Sequence, residues 1–151
     1  VMDTSQIGGV DDTKRYTKAE CRGAGSEIIF RENLLTHENQ SAVSEMDVFL
    51  NGFDTKAQVV SRSVAKDSSS QVFYPRVSGN NKCFGHVQCD AIIMDKAHVV
   101  AVPQLDARHV DAALIHEAAI GKIAGDQLIK LMSLGLTEAE AEEQIIGGFL
   151  K

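Results

Sequence analysis

From Glu27 to about Ile115 the chain consists of short β-like runs broken by turn residues, with no helical segment between them, and this leaves it few folds. The runs are residues 28–30, 46–50, 57–64, 71–77, 84–94, 98–102 and 108–115. Breaks fall at Asn51-Gly52, Asp67 to Ser70, Gly79-Asn80-Asn81 and Asp95-Lys96, residue types that favour turns. Strands that recur roughly every 11 to 14 residues without crossover helices point to an all-β body, either a sandwich or a stacked solenoid. Met46, Val48 and Leu50 share one face of their strand, and Asp47 and Phe49 share the other. Many runs are apolar on both faces, which favours strands covered by neighbours over a freely solvated sheet.

The two ends read differently. Residues 1–26 are polar and punctuated by Gly8-Gly9, Asp11-Asp12 and Gly23-Ala24-Gly25, and are expected to be a poorly ordered lead-in. Near the other end, Asp126 is placed to cap a helix carrying Leu128, Leu131 and Met132 at i, i+3, i+4 spacing, and Gly135 is placed to end it. Thr137 and Glu140 form a capping-box pattern, flanked by Leu136 and Ala141 at staple positions. Ala141, Ile145 and Phe149 then continue an apolar stripe. The expected organisation is a lead-in (1–26), a β core (27–117) and a helical region (118–151).

Composition narrows the function. With 151 residues, 44% hydrophobic and 24% charged, the chain has the makings of one folded domain. Its 15 Lys and Arg against 21 Asp and Glu give a net charge of -6 and a pI near 5.3, so no nucleic-acid partner is expected. No run approaches the roughly 20 apolar residues of a membrane span, since His116, Glu117 and Lys122 interrupt the best candidate. The start at Val1 shows no basic segment followed by an apolar stretch, and Val1 is not an initiator methionine. Three cysteines, Cys21, Cys83 and Cys89, are too few for a disulfide framework and suit a reducing cytoplasm.

Motifs for ATP binding or hydrolysis are missing. Neither Gly8-Gly9 nor Gly121-Lys122 has P-loop spacing, so this chain is not expected to bind ATP by that route. His116-Glu117 lacks the second histidine of a zinc-protease helix. In the run from Cys83 to Cys89 the two thiols point to one side of a strand about 20 Å apart, with His86 on the other side, so one metal cannot join all three. Cys89 shares parity with Val87, Ala91 and Ile93 and reads as buried. His116 reads as a core histidine or a ligand, and Glu117 as a first-turn charge or its partner.

The ordered set Gln88-Cys89-Asp90, His116-Glu117-Ala118, Gly125-Asp126-Gln127-Leu128, Leu131-Met132-Ser133, residues 135–141 and Ile145-Ile146-Gly147-Gly148-Phe149 resembles the core and C-terminus of the SufB/SufD family of iron–sulfur cluster assembly proteins. The resemblance covers roughly residues 28–151. It implies a mainly β fold, a right-handed parallel β-helix followed by a short α-helical region. It also implies a scaffold rather than an enzyme, one that carries a transient iron–sulfur cluster. Cys89 corresponds to the SufB-like cysteine, Glu117 to the SufB-like glutamate and His116 to the SufD-like histidine, which makes these three the expected cluster, sulfur or metal ligands. Thiolate, carboxylate and imidazole suit a labile cluster site.

The expected partners are a SufC-like ABC-type ATPase, docked through Leu128, Leu131, Met132, Glu142, Ile145 and Phe149, and a SufB/SufD-like core protein or a second copy of the chain as a homodimer. Family members are commonly longer, so the chain reads as a short form or a piece, and Leu114 stands where SufD-like chains often carry a cysteine. The alternatives are a β-helix lyase or esterase acting on carbohydrate and a purely structural interaction module. With 5% aromatics and no Trp, the chain offers little for stacking sugars.

Overall fold

A computed structural model describes residues 1–7 and 9–151; Gly8, the first of the two glycines read as a break, lies outside them. The chain winds into a parallel β-helix. Its strands are β1 (Met2–Gln6), β2 (Asp12–Cys21), β3 (Glu27–Thr36), β4 (Ser41–Leu50), β5 (Thr55–Ala65), β6 (Ser70–Gly79), β7 (Cys83–Ile93), β8 (His98–Ala101), β9 (Gln104–Ala107) and β10 (Ala112–Gly121). Two helices follow, α1 (Gly125–Met132) and α2 (Glu138–Phe149).

Successive strands do not pair with each other. Sheet A runs β1-β3-β5-β7-β10 and sheet B runs β2-β4-β6-β8, with β9 also on β6, and every pairing is parallel. Each coil therefore contributes one strand to each sheet. Residues stacked on neighbouring coils lie 28 or 29 apart, as in the Asp67–Asp95 and Asn51–Asn80 pairs. The inward side chains of the two sheets form the core, with Phe30, Met46, Val48, Leu50, Val59, Val77 and Val87 each at most 1% exposed.

Turn chemistry holds the corners in register. Glu38, Asp67 and Asp95 all adopt left-handed backbone, a conformation that the short side chains of Asp and Asn tolerate better than most. The Glu38 amide donates to Asp67 Oδ2 at 2.7 Å and the Asp67 amide to Asp95 Oδ2 at 3.1 Å, so one corner is stitched to the next. At another corner Asn80 Nδ2 donates to Asn51 Oδ1 at 2.6 Å. In sheet B the last strand is interrupted at Val102-Pro103, opposite Tyr74-Pro75. Proline has no ladder donor, and two prolines at one level open the gap between β8 and β9.

Residues 1–26, expected as a poorly ordered lead-in, instead carry β1 and β2. The inward positions of β2 are Thr13, Arg15, Thr17, Ala19 and Cys21, small or polar rather than apolar, so the strand has no local hydrophobic signature. Its ladder to β4 supplies the order. The helical region is likewise shorter than the expected 118–151, because Ala118 to Gly121 stay in register with Cys89 to Ile92 as the end of β10. Ala124, not Asp126, is the N-cap of α1, and Asp126 lies in the first turn. Gly135 takes φ 100° beyond α1, and Thr137 and Glu140 make the expected capping box.

Gly52 sits where one coil crosses closely over the next. A Cβ there would lie 2.5 Å from the Arg22 carbonyl oxygen and 2.6 Å from that of Gly23, backbone atoms that cannot step aside. Gly52→Ala is expected to lower stability by about 1–3 kcal/mol, read as a lower urea midpoint at unchanged slope. An unchanged midpoint would show that the corner is loose.

Candidate functional site

The last two strands of sheet A position the expected ligands. The β7–β10 register sets His116 opposite Val87, Glu117 opposite Gln88 and Ala118 opposite Cys89. Side chains alternate along a strand, so Cys89 and His116 face the interior while Glu117 faces out. Cys89 and His116 are diagonal neighbours, roughly 8 Å apart at Cα for strands ~4.8 Å apart. His116 Nε2 is buried and has no hydrogen-bond partner among the described residues. A buried orphan nitrogen is costly unless something binds it.

Cys89 belongs to the hydrophobic cluster and is 4% exposed. Burial pushes its thiol pKa up to about 12, and the charges of Asp90 and Glu32 push in the same direction. At neutral pH it is a thiol, so a metal ion or sulfur that binds it has to displace a proton.

Below Cys89, away from the β10 end, Ser61 and Glu32 occupy the same inward column of sheet A. Glu32 is 1% exposed and accepts hydrogen bonds from Arg15 Nη1 at 3.1 Å, Ser44 Oγ at 2.8 Å and Ser61 Oγ at 3.3 Å. Arg15 also donates to Gln6 Oε1 at 3.3 Å. A charged pair inside a solenoid core persists only because these hydrogen bonds satisfy it. The sequence reading missed Arg15, Glu32, Ser44 and Ser61. Parity with Phe30 and Leu34 was the available signal that Glu32 points inward.

On the outer face His86 Nε2 and Glu117 Oε2 are 3.2 Å apart, a pairing across the β7–β10 ladder that the sequence reading did not draw. Sheet A thus separates the three expected ligands, with Cys89 and His116 within and Glu117 without. Among the described residues no three His, Cys, Asp or Glu side chains come together as a metal-binding group. The Cys89–His116 and His86–Glu117 pairs lie on opposite faces of one sheet.

The expected docking residues also divide. Phe149 lines a cleft with Ile92 and Ile120, while Leu128 and Glu142 line another with Ile93 and Met94, so these face the strand ends. Leu131 and Ile145 are half-buried. Met132 is exposed, and Ile129 of α1 and Leu134 of the turn that follows it are more exposed still. Among the described residues no helix is long and apolar enough to cross a membrane.

A parallel solenoid whose last two strands of sheet A carry an inward thiol and an inward imidazole, followed by two helices, defines the class. Residues 4–149 match the family described as SUF system FeS cluster assembly, SufBD core domain. The chain belongs to that SufBD family of iron–sulfur cluster assembly proteins. It is 34% identical over 143 residues to an iron–sulfur cluster assembly SufBD family protein of Methanothermobacter thermautotrophicus, covering 93% of this chain and 35% of the relative. A relative with the same description from Archaeoglobus fulgidus is 31% identical over 124 residues, 82% of this chain and 34% of the relative. One from Methanocaldococcus jannaschii is 38% identical over 104 residues, 68% of this chain and 33% of the relative. The chain spans about a third of the length of these relatives.

The raised Cys89 pKa has a sign that stability measurements read. A thiol whose pKa rises from about 9 to about 12 on folding contributes stability that is complete below pH 9 and lost as pH climbs toward 12. The urea midpoint of the unmodified chain is therefore expected to fall more steeply above pH 9 than that of Cys89→Ser. Parallel curves would mean that the folded chain carries Cys89 as an ordinary, solvated thiol.

Proposed function

We propose that this chain acts as a scaffold on which an iron–sulfur cluster, its cargo, is assembled and released, rather than as an enzyme. The observation that carries the reading is that Cys89 faces inward beside a His116 whose Nε2 has no hydrogen-bond partner among the described residues, at the end of the solenoid. Thiolate and neutral imidazole are both iron ligands, and one of each is too few to hold a cluster permanently. Glu117, backed by His86, is a third ligand that reaches the cargo when the end of the coil rearranges or when a second protein meets it.

β10 is an edge strand of ten residues, with Ile115 and Ile120 exposed on it. An open edge of that length calls for a cover. A SufB/SufD-like core protein or a second copy of this chain, paired along β10, completes the ligand set at the joint. An isologous contact of at least ~1,000 Å² would place His116 near the two-fold axis. The exposed Ile129, Met132 and Leu134 around α1 form the face for a SufC-like ABC-type ATPase, which supplies the ATP hydrolysis, and the setting is cytoplasmic.

Anaerobic reconstitution with iron and sulfide tests the cargo site. The charge-transfer absorbance is expected to vanish in Cys89→Ser, to fall several-fold in His116→Ala and to persist in Cys21→Ser, and equal spectra for the two cysteine variants would refute it. Light scattering tests the joint: the unmodified chain should be dimeric and Ile115→Arg monomeric, and a monomer in both rules out self-pairing along β10. Ile129→Glu is expected to abolish co-purification with the ATPase while circular dichroism stays unchanged. Retained binding would move the docking face elsewhere.

A further inference from the structure

We infer that Asn51 is a modification site, an asparagine set to deamidate spontaneously onto the amide of Gly52, which the corner between β4 and β5 holds shut until it opens. The site is independent of the cluster residues. Of Asn33, Asn39, Asn51, Asn80 and Asn81, only Asn51 is followed by glycine. Glycine has no side chain to shield its amide and leaves the backbone free to turn, so Asn-Gly is the dipeptide most open to this reaction. The fold calls for both residues here: Gly52 for the close crossing over Arg22 and Gly23, and Asn51 for the hydrogen bond from Asn80 on the next coil.

The reaction takes nothing but water. The Gly52 nitrogen attacks Asn51 Cγ, and its proton leaves with the side-chain amino group as ammonia, which closes a succinimide ring. Water then opens the ring at either carbonyl and gives aspartate, or isoaspartate with one extra methylene in the main chain. In the closed corner every participant is held off this path. Gly52 is buried and its amide donates to the Cys21 carbonyl oxygen at 2.9 Å, so a base cannot take the proton. The carbonyl oxygen of the same peptide unit, that of Asn51, accepts from Asn81 Nδ2 at 3.3 Å, so the unit cannot turn toward the side chain. The carboxamide is held at both ends, Oδ1 accepting from Asn80 Nδ2 at 2.6 Å and Nδ2 donating to Glu20 Oε1. These four hydrogen bonds have to yield together before the ring can form.

The product does not fit the corner. Either acid replaces the Nδ2 donor with a carboxylate facing Glu20, whose own charge already engages Arg22 at 2.7 Å, and like charges in contact repel. Isoaspartate also lengthens the main chain beside Gly52, where the crossing leaves no room for even one added carbon. The corner that is lost is the one whose Asn51 and Gly52 amides both bond the Cys21 carbonyl oxygen, tying the end of β2 to the end of β4. One opening long enough for reaction is thus recorded as a permanent release of the first coil.

Incubation of the full chain at mildly alkaline pH, folded and in urea, tests the site when followed by peptide mapping that separates the asparagine, aspartate and isoaspartate forms. Asn39, exposed in the turn before β4, serves as the internal reference. In urea Asn51 should convert before any other asparagine. In the folded chain its conversion relative to Asn39 should be at least about tenfold slower, a factor set by the free energy of opening the corner. Asn80→Ala, which removes one of the four bonds and leaves the Gly52 crossing alone, should speed the folded reaction several-fold, and hydrogen exchange at the Gly52 amide should rise in step. Chain converted at Asn51 in urea and then refolded should keep amide protection in β5 and β7 and lose it in β2. Equal conversion of Asn51 with and without urea, an Asn80→Ala variant that converts no faster than the unmodified chain, or full protection of β2 after conversion would overturn the inference.

Discussion

The parallel stacking of coils at a repeat of 28 or 29 residues is the constraint on which everything else in this molecule rests. It fixes which side chains share a column, and a one-residue slip would turn every inward residue outward. The corner ladders of Asp67, Asp95, Asn51 and Asn80 hold that register where the strands themselves stop. Because the register is exact along sheet A, Cys89, Ser61 and Glu32 form a single column, and Cys89 and His116 become neighbours although the sequence separates them by most of a coil.

The all-β body, the C-terminal helices and the capping box were legible because each rests on local chemistry: turn residues, apolar spacing, a Thr and a Glu three apart. The strand repeat read as 11 to 14 residues is half of the structural one, because each coil holds two strands that belong to different sheets. Nothing in a single strand announces which sheet it joins. β1 and β2 were illegible for a different reason: Thr13, Arg15 and Thr17 face inward, so burial there is polar and the usual alternation is absent.

The candidate site was legible in its parts and not in its arrangement. Cys89 was read as buried from its parity with Val87 and Ala91, and it is. His116 and Glu117 are adjacent in sequence, which on a strand sends them to opposite faces, so adjacency suggested a pair that the fold divides. The pairs that exist, His116 beside Cys89 and Glu117 with His86, cross a coil boundary and require the β7–β10 register to be known.

The role proposed for Cys89 sets two opposing requirements on its position within the solenoid. A thiol deep in the stack is covered by coils on both sides and stays protonated and inert, whereas a thiol on the outer face reacts with any oxidant. Cys89 lies one coil from the end, protected on one side by Ser61 and the rest of the stack, and capped on the other by Ala118, a single exposed methyl on an edge strand. Displacing β10 would therefore expose the thiol and free His116 in one movement, at the cost of the packing of Ala112 and Leu114 against the core. His116 is thus held by an edge strand of the sheet, where a site proposed both to load and to release would open at a lower cost in packing than deeper in the stack.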